Sequence, residues 1–298
     1  MSVDFGLQIP RFTWPGGPAE TRDRLSQVAA AAEEAGFTSL WLMDHVLQIP
    51  LHGEPDDEML ESFTTLGFLA GQTRSIKLGP LVAGITYRNI AHLAKIVATL
   101  DVLSGGRAAC GLGAAWYAHE HETYGWRFPP LDERYAALED ALQLLPLMWG
   151  KGSPPFTGRT ISVPAAICSP RPLQDHVPLL VGGGGERRTL RLVARYADAC
   201  NLTGDPATVQ RKVAVLRQHC EAEGRDPTDV KVTHLSRALT PAEAPEPADH
   251  VAWYRQLAEA GARKLIVSLP DLPDAPRSDP AAPVRRFARI IAAFRPRE

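Results

Sequence analysis

No apolar run in this chain approaches the roughly 20 residues that a membrane-spanning helix needs, so no membrane partner is expected. Charge of one sign is also missing. The chain carries 32 Lys and Arg against 34 Asp and Glu, for a net charge of -2, and the basic residues are scattered. That leaves no electrostatic footprint for nucleic acid or an anionic surface. Cysteine is scarce. Cys110, Cys168, Cys200 and Cys220 form no CxxC pair, which argues against a zinc ribbon or a disulfide framework. Reduced thiols in a cytoplasmic protein are the expectation. The first residues, MSVDFGLQIPRF, lack the basic-then-apolar pattern of a secretion signal.

What is present is an alternation. Short β-type runs at Val3–Ile9, Ser39–Met43, Ile76–Val82, Ala108–Leu112, Pro178–Val181, Asp198–Leu202, Val230–Leu239 and Lys264–Leu269 are each followed by a helical pattern. The helix after Pro18 shows the spacing. Leu25, Val28, Ala29 and Ala32 fall on one face, and Gly36 closes it. After the third run, Leu93, Ile96, Val97, Leu100 and Leu103 share a face. Later helices are predicted over Asp132–Trp149 and Glu186–Tyr196.

Parallel strands need such crossovers, and eight units suit a closed barrel. The expected class is α/β, a (β/α)8 TIM barrel formed by one domain over residues 1–298. A doubly wound open sheet is the competing architecture, but the first strand is not followed by GxGxxG. One segment, Lys151–His176, breaks the rhythm with Pro154, Pro155, Pro164, Pro170 and Pro172. It is too short to bury a core of its own. It reads as an insertion, at about 151–176, over the C-terminal mouth of the barrel.

A barrel builds its site from the loops after its strands. Asp44-His45 ends the second strand. The pair either binds a ring edge and handles a proton, or simply caps loop backbone. Gly182-Gly183-Gly184-Gly185 joins a strand to a helix. Its N–H groups are free to converge on a phosphate, with Arg187 and Arg188 nearby; a flexible tight turn is the plainer alternative. Gly111-Leu112-Gly113 is a low-bulk strand end that admits a flat ligand or a closely packed helix. Trp14 and Trp116 are candidate walls of the substrate pocket. His119-Glu120-His121-Glu122 is not HExxH. Residues two apart on a helix diverge, so no metal is expected. No GxSxG elbow supports hydrolysis.

Several segments resemble the bacterial luciferase-like monooxygenase superfamily, and within it the oxidoreductases that use the deazaflavin coenzyme F420. They are AAAAEEAGFTSLWLMDH (29–45), LGPLVAGITYRNIAHLAKIVATLDVLSGGRAACGLGAAW (78–116), YGWRFPPLDERYAALEDALQLLPLMW (124–149), SPRPLQ (169–174) and LLVGGGGERRTLRLVARYADACN (179–201). Of these, TLDVLSGGR is the most specific. The resemblance implies a barrel with an insertion. It implies ring contacts from Asp44, His45, Ala83 and Gly84, and a non-proline cis peptide at Leu81-Val82 against the ring. It implies a cofactor phosphate at Gly182–Gly185. It also marks His45 as the proton-handling residue. Trp116 stands where sugar-phosphate dehydrogenases of the superfamily keep an acidic Glu, and His119 where a cofactor-contacting Asn would be.

The expected function is hydride transfer between F420 and a small organic substrate. An FMN-dependent monooxygenase of the same fold and a non-catalytic F420-binding protein are the alternatives. A homodimer is the usual state among such proteins.

Overall fold

The computed structural model describes residues 3–238 and 247–295. Leu239, the expected end of the seventh strand, lies outside them.

The chain runs β1 (Asp4–Ile9), α1 (Pro18–Ala35), β2 (Ser39–Leu42), α2 (Ser62–Gln72), β3 (Lys77–Pro80), β4 (Ala83–Gly84), α3 (Ile90–Ser104), β5 (Cys110–Gly113), α4 (Ala118–Tyr124) and α5 (Leu131–Trp149). A small hairpin follows, β6 (Phe156–Thr157) and β7 (Ser162–Val163). Then come β8 (Leu179–Gly182), α6 (Thr189–Tyr196), β9 (Ala199–Leu202), α7 (Pro206–Ala222), β10 (Lys231–Arg237), α8 (Pro247–Glu259), β11 (Lys264–Ser268) and α9 (Ala282–Ala292).

Nine strands form one parallel sheet in the order β3-β2-β1-β11-β10-β9-β8-β5-β4. A parallel bridge from Leu78 in β3 to Ala108, which leads into β5, brings the two sides of the sheet together, so it is a nearly closed barrel. Nine pieces arise from eight expected strands because the third is split. Its first part, β3, pairs with β2, and Leu81 N still donates to Leu42 O at 2.7 Å. Beyond Val82 the chain changes neighbour, and β4 pairs with β5.

Strand alternation sends Phe5, Leu7 and Ile9 outward under the helices and Gln8 inward. Phe5 meets Tyr254, Phe287 and Phe294 edge-on, tying α8 and α9 to the barrel wall. Inside the barrel, Trp41, Leu81, Ala109, Leu180 and Ile266 pack as a separate buried cluster.

The TLDVLSGGR segment turns α3 back to the sheet. Gly105 ends the helix in the left-handed conformation, at φ 71°. The buried Arg107 guanidinium donates to the carbonyls of Ala70, Thr73 and Ile76, satisfying the end of α2. The fully buried Asp101 carboxylate accepts from Ala108 N, Leu173 N and Gln174 Nε2. Leu103, expected on the buried face, is 66% exposed because it lies at the outer margin of the stripe centred on Leu93, Val97 and Leu100.

Segment 151–176 does not cover the C-terminal mouth. It follows a helix and precedes a strand, so the chain has already returned to the N-terminal end of the barrel. Asp101 grips its end, and the buried Asp140 carboxylate takes the N–H groups of Arg159, Thr160 and Ile161. The insertion is thereby fastened along the outer flank of α3 and α5. All four cysteines are buried and unpaired. Among the described residues no helix is long and apolar enough to cross a membrane.

Candidate active site

The strand C-termini open into a cavity of about 400 Å³. Its floor comes from β4, β5 and β8, and the loops after β2 and β5 form its walls.

The floor is a cis peptide bond between Leu81 and Val82, at the position expected for it. Three glycines make room for Val82. A Cβ on Gly113 would lie 2.7 Å from a Val82 methyl, one on Gly182 2.8 Å, and one on Gly111 3.1 Å. Small residues are required there because the valine side chain already fills the space.

The loop after β2 carries the polar groups. The buried Asp44 carboxylate receives the fork of Arg88, with N–O distances of 2.6 and 2.8 Å. It also accepts from Ser62 Oγ and from Gly84 N at 3.2 Å. Burial pushes the Asp44 carboxyl up, while Arg88, Ser62 and Gly84 oppose that. The bidentate geometry is that of an ionised pair. Arg88 also reaches Glu61 at 2.7 Å. Asp44 thus fastens the β2 loop to β4 and to the start of α2.

His45 stands at the cavity wall. Its Nδ1 is 2.8 Å from Glu120 Oε2. Glu120, on α4, is fully buried, and its other oxygen accepts from Val46 N at 2.5 Å and Leu47 N at 3.0 Å. Tyr87 donates its hydroxyl to the same carboxylate. Burial would raise the Glu120 carboxyl, but hydrogen bonds from His45, Tyr87 and Leu47 and the charge of His45 hold it below the ordinary range. Burial first, then the bond to Glu120, pushes Tyr87 well above a normal phenol, so it remains a neutral donor. An ionised Glu120 fixes the proton of His45 on Nδ1. Nε2 has no partner among the described residues and can accept or release a proton.

The glycine loop forms the opposite wall. Gly183 sits at φ 110°, which a side chain would disfavour. A Cβ at Gly184 would fall 2.2 Å from Lys212 Nζ, and one at Gly185 2.9 Å from Thr189 Oγ1. Thr189 Oγ1 lies 2.8 Å from the Tyr135 hydroxyl. Two hydroxyls therefore border an approachable backbone on the cavity side, while the Gly183 N–H is taken by Asn201 O at 3.2 Å and Lys212 lies behind Gly184. That donor set fits an oxyanion such as a phosphate. The helix after this loop starts at Thr189, later than expected, because residues 186–188 form a turn.

Of the sequence-derived candidates, Asp44, His45, Leu81, Val82, Gly113, Trp116, Gly182, Gly183 and Gly185 line the cavity together. Four candidates do not. Trp14 is 4% exposed and packs edge-on against Phe12 in the core, so it is no pocket wall. Ala83 is fully buried toward the helices, since alternation turns it away from the cavity. His119 is exposed on the outer side of α4, against Tyr117. Gly184 faces Lys212 instead of the cavity. Glu120, Tyr87 and Arg88 take roles here that the sequence does not assign them. Gln8, His52 and Asn201 also line the cavity. Among the described residues, no three His, Cys, Asp or Glu side chains gather as a metal site.

The model of the luciferase-like monooxygenase family matches residues 1–292. An uncharacterised protein of Mycobacterium tuberculosis is 29% identical over 289 residues, covering 91% of this chain and 96% of its own. An F420-dependent glucose-6-phosphate dehydrogenase of Kineococcus radiotolerans is 32% identical over 230 residues, covering 75% of this chain and 66% of the relative. An F420-dependent secondary alcohol dehydrogenase, solved with an F420-acetone adduct, superposes with a TM-score of 0.83 at 18% identity, over 99% of this chain and 100% of that one. The chain belongs to the luciferase-like monooxygenase family.

Proposed function

We propose that this member of the luciferase-like monooxygenase family is an oxidoreductase that uses coenzyme F420 to transfer a hydride to or from a small organic substrate. The observation that carries the proposal is the pairing, across one cavity, of an oxyanion cradle with an oriented histidine. The relatives that use F420 support the choice of cofactor. When bound, F420 supplies the hydride-accepting or hydride-donating carbon.

The chain's own residues do the rest. Gly182, Gly183, Gly185, Thr189 and Tyr135 would hold the phosphate. Val82 would support the flat ring, and Gly113 would let it approach the strand end. His45 Nε2 would take the proton of a substrate hydroxyl, or return it to a carbonyl. Glu120 and Tyr87 keep that nitrogen aimed into the cavity. Trp116, 61% exposed, would wall the substrate side together with Leu51 and His52.

Titration of the purified protein with F420 and with FMN, followed by fluorescence, tests this reading. Micromolar binding of F420 and weak or absent binding of FMN is expected. Tight FMN binding with none for F420 would instead favour an FMN-dependent monooxygenase. Tight F420 binding without turnover by any donor or acceptor would leave a cofactor-binding protein.

A further inference from the structure

Tyr135 is a wall shared by two concavities. Its hydroxyl faces the central cavity through Thr189, and its ring also lines a groove of about 380 Å³ on the outer surface. The groove runs between α5, α6 and the β6–β7 hairpin. Arg159, Arg187, Arg188, Arg191 and Arg195 line it, with Asp132 and Glu139. Arg188 lies over the Tyr135 ring at 5.4 Å and pairs with Asp132 at 2.5 Å. Arg195 pairs with Glu139 at 3.3 Å, and Arg191 and Arg195 both reach Glu223, at 3.8 and 3.6 Å. Five guanidinium groups thus meet three carboxylates. Arg159 and Arg187 have no ion pair among the described residues.

We infer that this groove binds a polycarboxylate extension of the ligand whose phosphate occupies the glycine cradle. The inference rests on the cofactor reading above. Arg187 and Arg188 directly follow the Gly182–Glu186 loop, so a chain leaving the cradle over Tyr135 enters the groove at once. Guanidinium forks match carboxylates in pairs, and both Arg159 and Arg187 have donors to spare. In F420, a tail of glutamates follows the phosphate and supplies such carboxylates. An ordinary solvated arginine face would attract such a tail diffusely and would keep most of that preference when only two of its five arginines are replaced.

The experiment compares F420 carrying one glutamate with F420 carrying several. Binding is measured by fluorescence on the wild type and on the Arg159→Gln/Arg187→Gln double variant, at low and high salt. Both residues are exposed, so the variant should fold. The long-tailed form should bind the wild type roughly three- to tenfold more tightly at low salt, as expected for a few exposed ion pairs. High salt and the double variant should each remove that preference, with affinity for the short-tailed form unchanged within about twofold. Equal affinity for both forms in the wild type, or an undiminished preference in the variant, overturns the groove while leaving the cofactor reading intact. Failure of both forms to bind overturns the two together.

Discussion

Replacing Glu120 with Gln tests whether the buried carboxylate positions His45. Glu120 accepts from His45 Nδ1, Val46 N, Leu47 N and Tyr87 Oη. An amide keeps one acceptor oxygen. If that oxygen stays with the Val46 and Leu47 amides, the new NH2 group faces His45 and Tyr87. Two charge-assisted bonds are then lost, each worth about 1.5–3 kcal/mol, and part is regained if His45 accepts from the new NH2. A net loss of about 2–4 kcal/mol follows. At about 2.1 cal/mol/K of unfolding entropy per residue, that lowers Tm by roughly 3–6 °C. The proton of His45 also moves from Nδ1 to Nε2, so the nitrogen facing the cavity changes from acceptor to donor. 15N NMR of the histidine ring reads this directly. Removal of a general base typically slows turnover by about 10²–10⁴-fold, and F420 affinity should hold within roughly threefold because the phosphate cradle is untouched. Because Glu120 sits below its usual value of 4.5 in the folded chain, its stabilisation is complete above that pH and is lost as pH falls through the lowered folded value. The Gln variant should show a flatter acid limb. A variant with unchanged Tm and an unchanged His45 tautomer would refute the positioning role.

Substitutions at three further positions probe the barrel. Lys264, buried at the N-terminal end beside Ser39 Oγ at 3.2 Å, is drawn by burial from 10.5 down to about 8. Its charge therefore destabilises the fold below that pH and is relieved as pH rises toward 10.5; Lys264→Met should add about 2–3 kcal/mol in urea denaturation at pH 7 and almost nothing near pH 11. At Gly111 a Cβ would lie 2.2 Å from Pro80 O, which cannot rotate away, so Gly111→Ala should cost about 1–3 kcal/mol or more by the same assay. Ala115 lines the cavity at φ 57°, so Ala115→Val should lower stability by about 2 kcal/mol while Ala115→Gly should be nearly neutral by thermal unfolding.

Much of the fold was legible because burial imposes period on the sequence. The alternation of short strands with helices identified the barrel, and the glycine spacing located two of its loops. The departures have physical causes. The composition of 151–176 marks an insertion, but only its place after a helix and before a strand sets the end of the barrel at which it lies. Trp14 lies in a loop, yet Phe12 two residues earlier offers it a core partner. The cluster at 119–122 is no metal site, and the same divergence of residues two apart has a second consequence. If His119 faces outward, Glu120 and His121 turn inward, and a buried carboxylate needs donors. Those donors come from residues 45–47 and 87, far away in sequence, where no local pattern announces them.

The crowding around Val82 has a consequence for how this protein can vary. Its methyl groups occupy the volume that side chains on Gly113 and Gly182 would need, and those positions belong to two neighbouring strands. Neither glycine can enlarge alone. A bulkier residue on either strand becomes acceptable only after position 82 has shrunk, and then the support under the cavity is lower. The contour of that surface is therefore a joint property of three positions, open to paired exchange and closed to single steps.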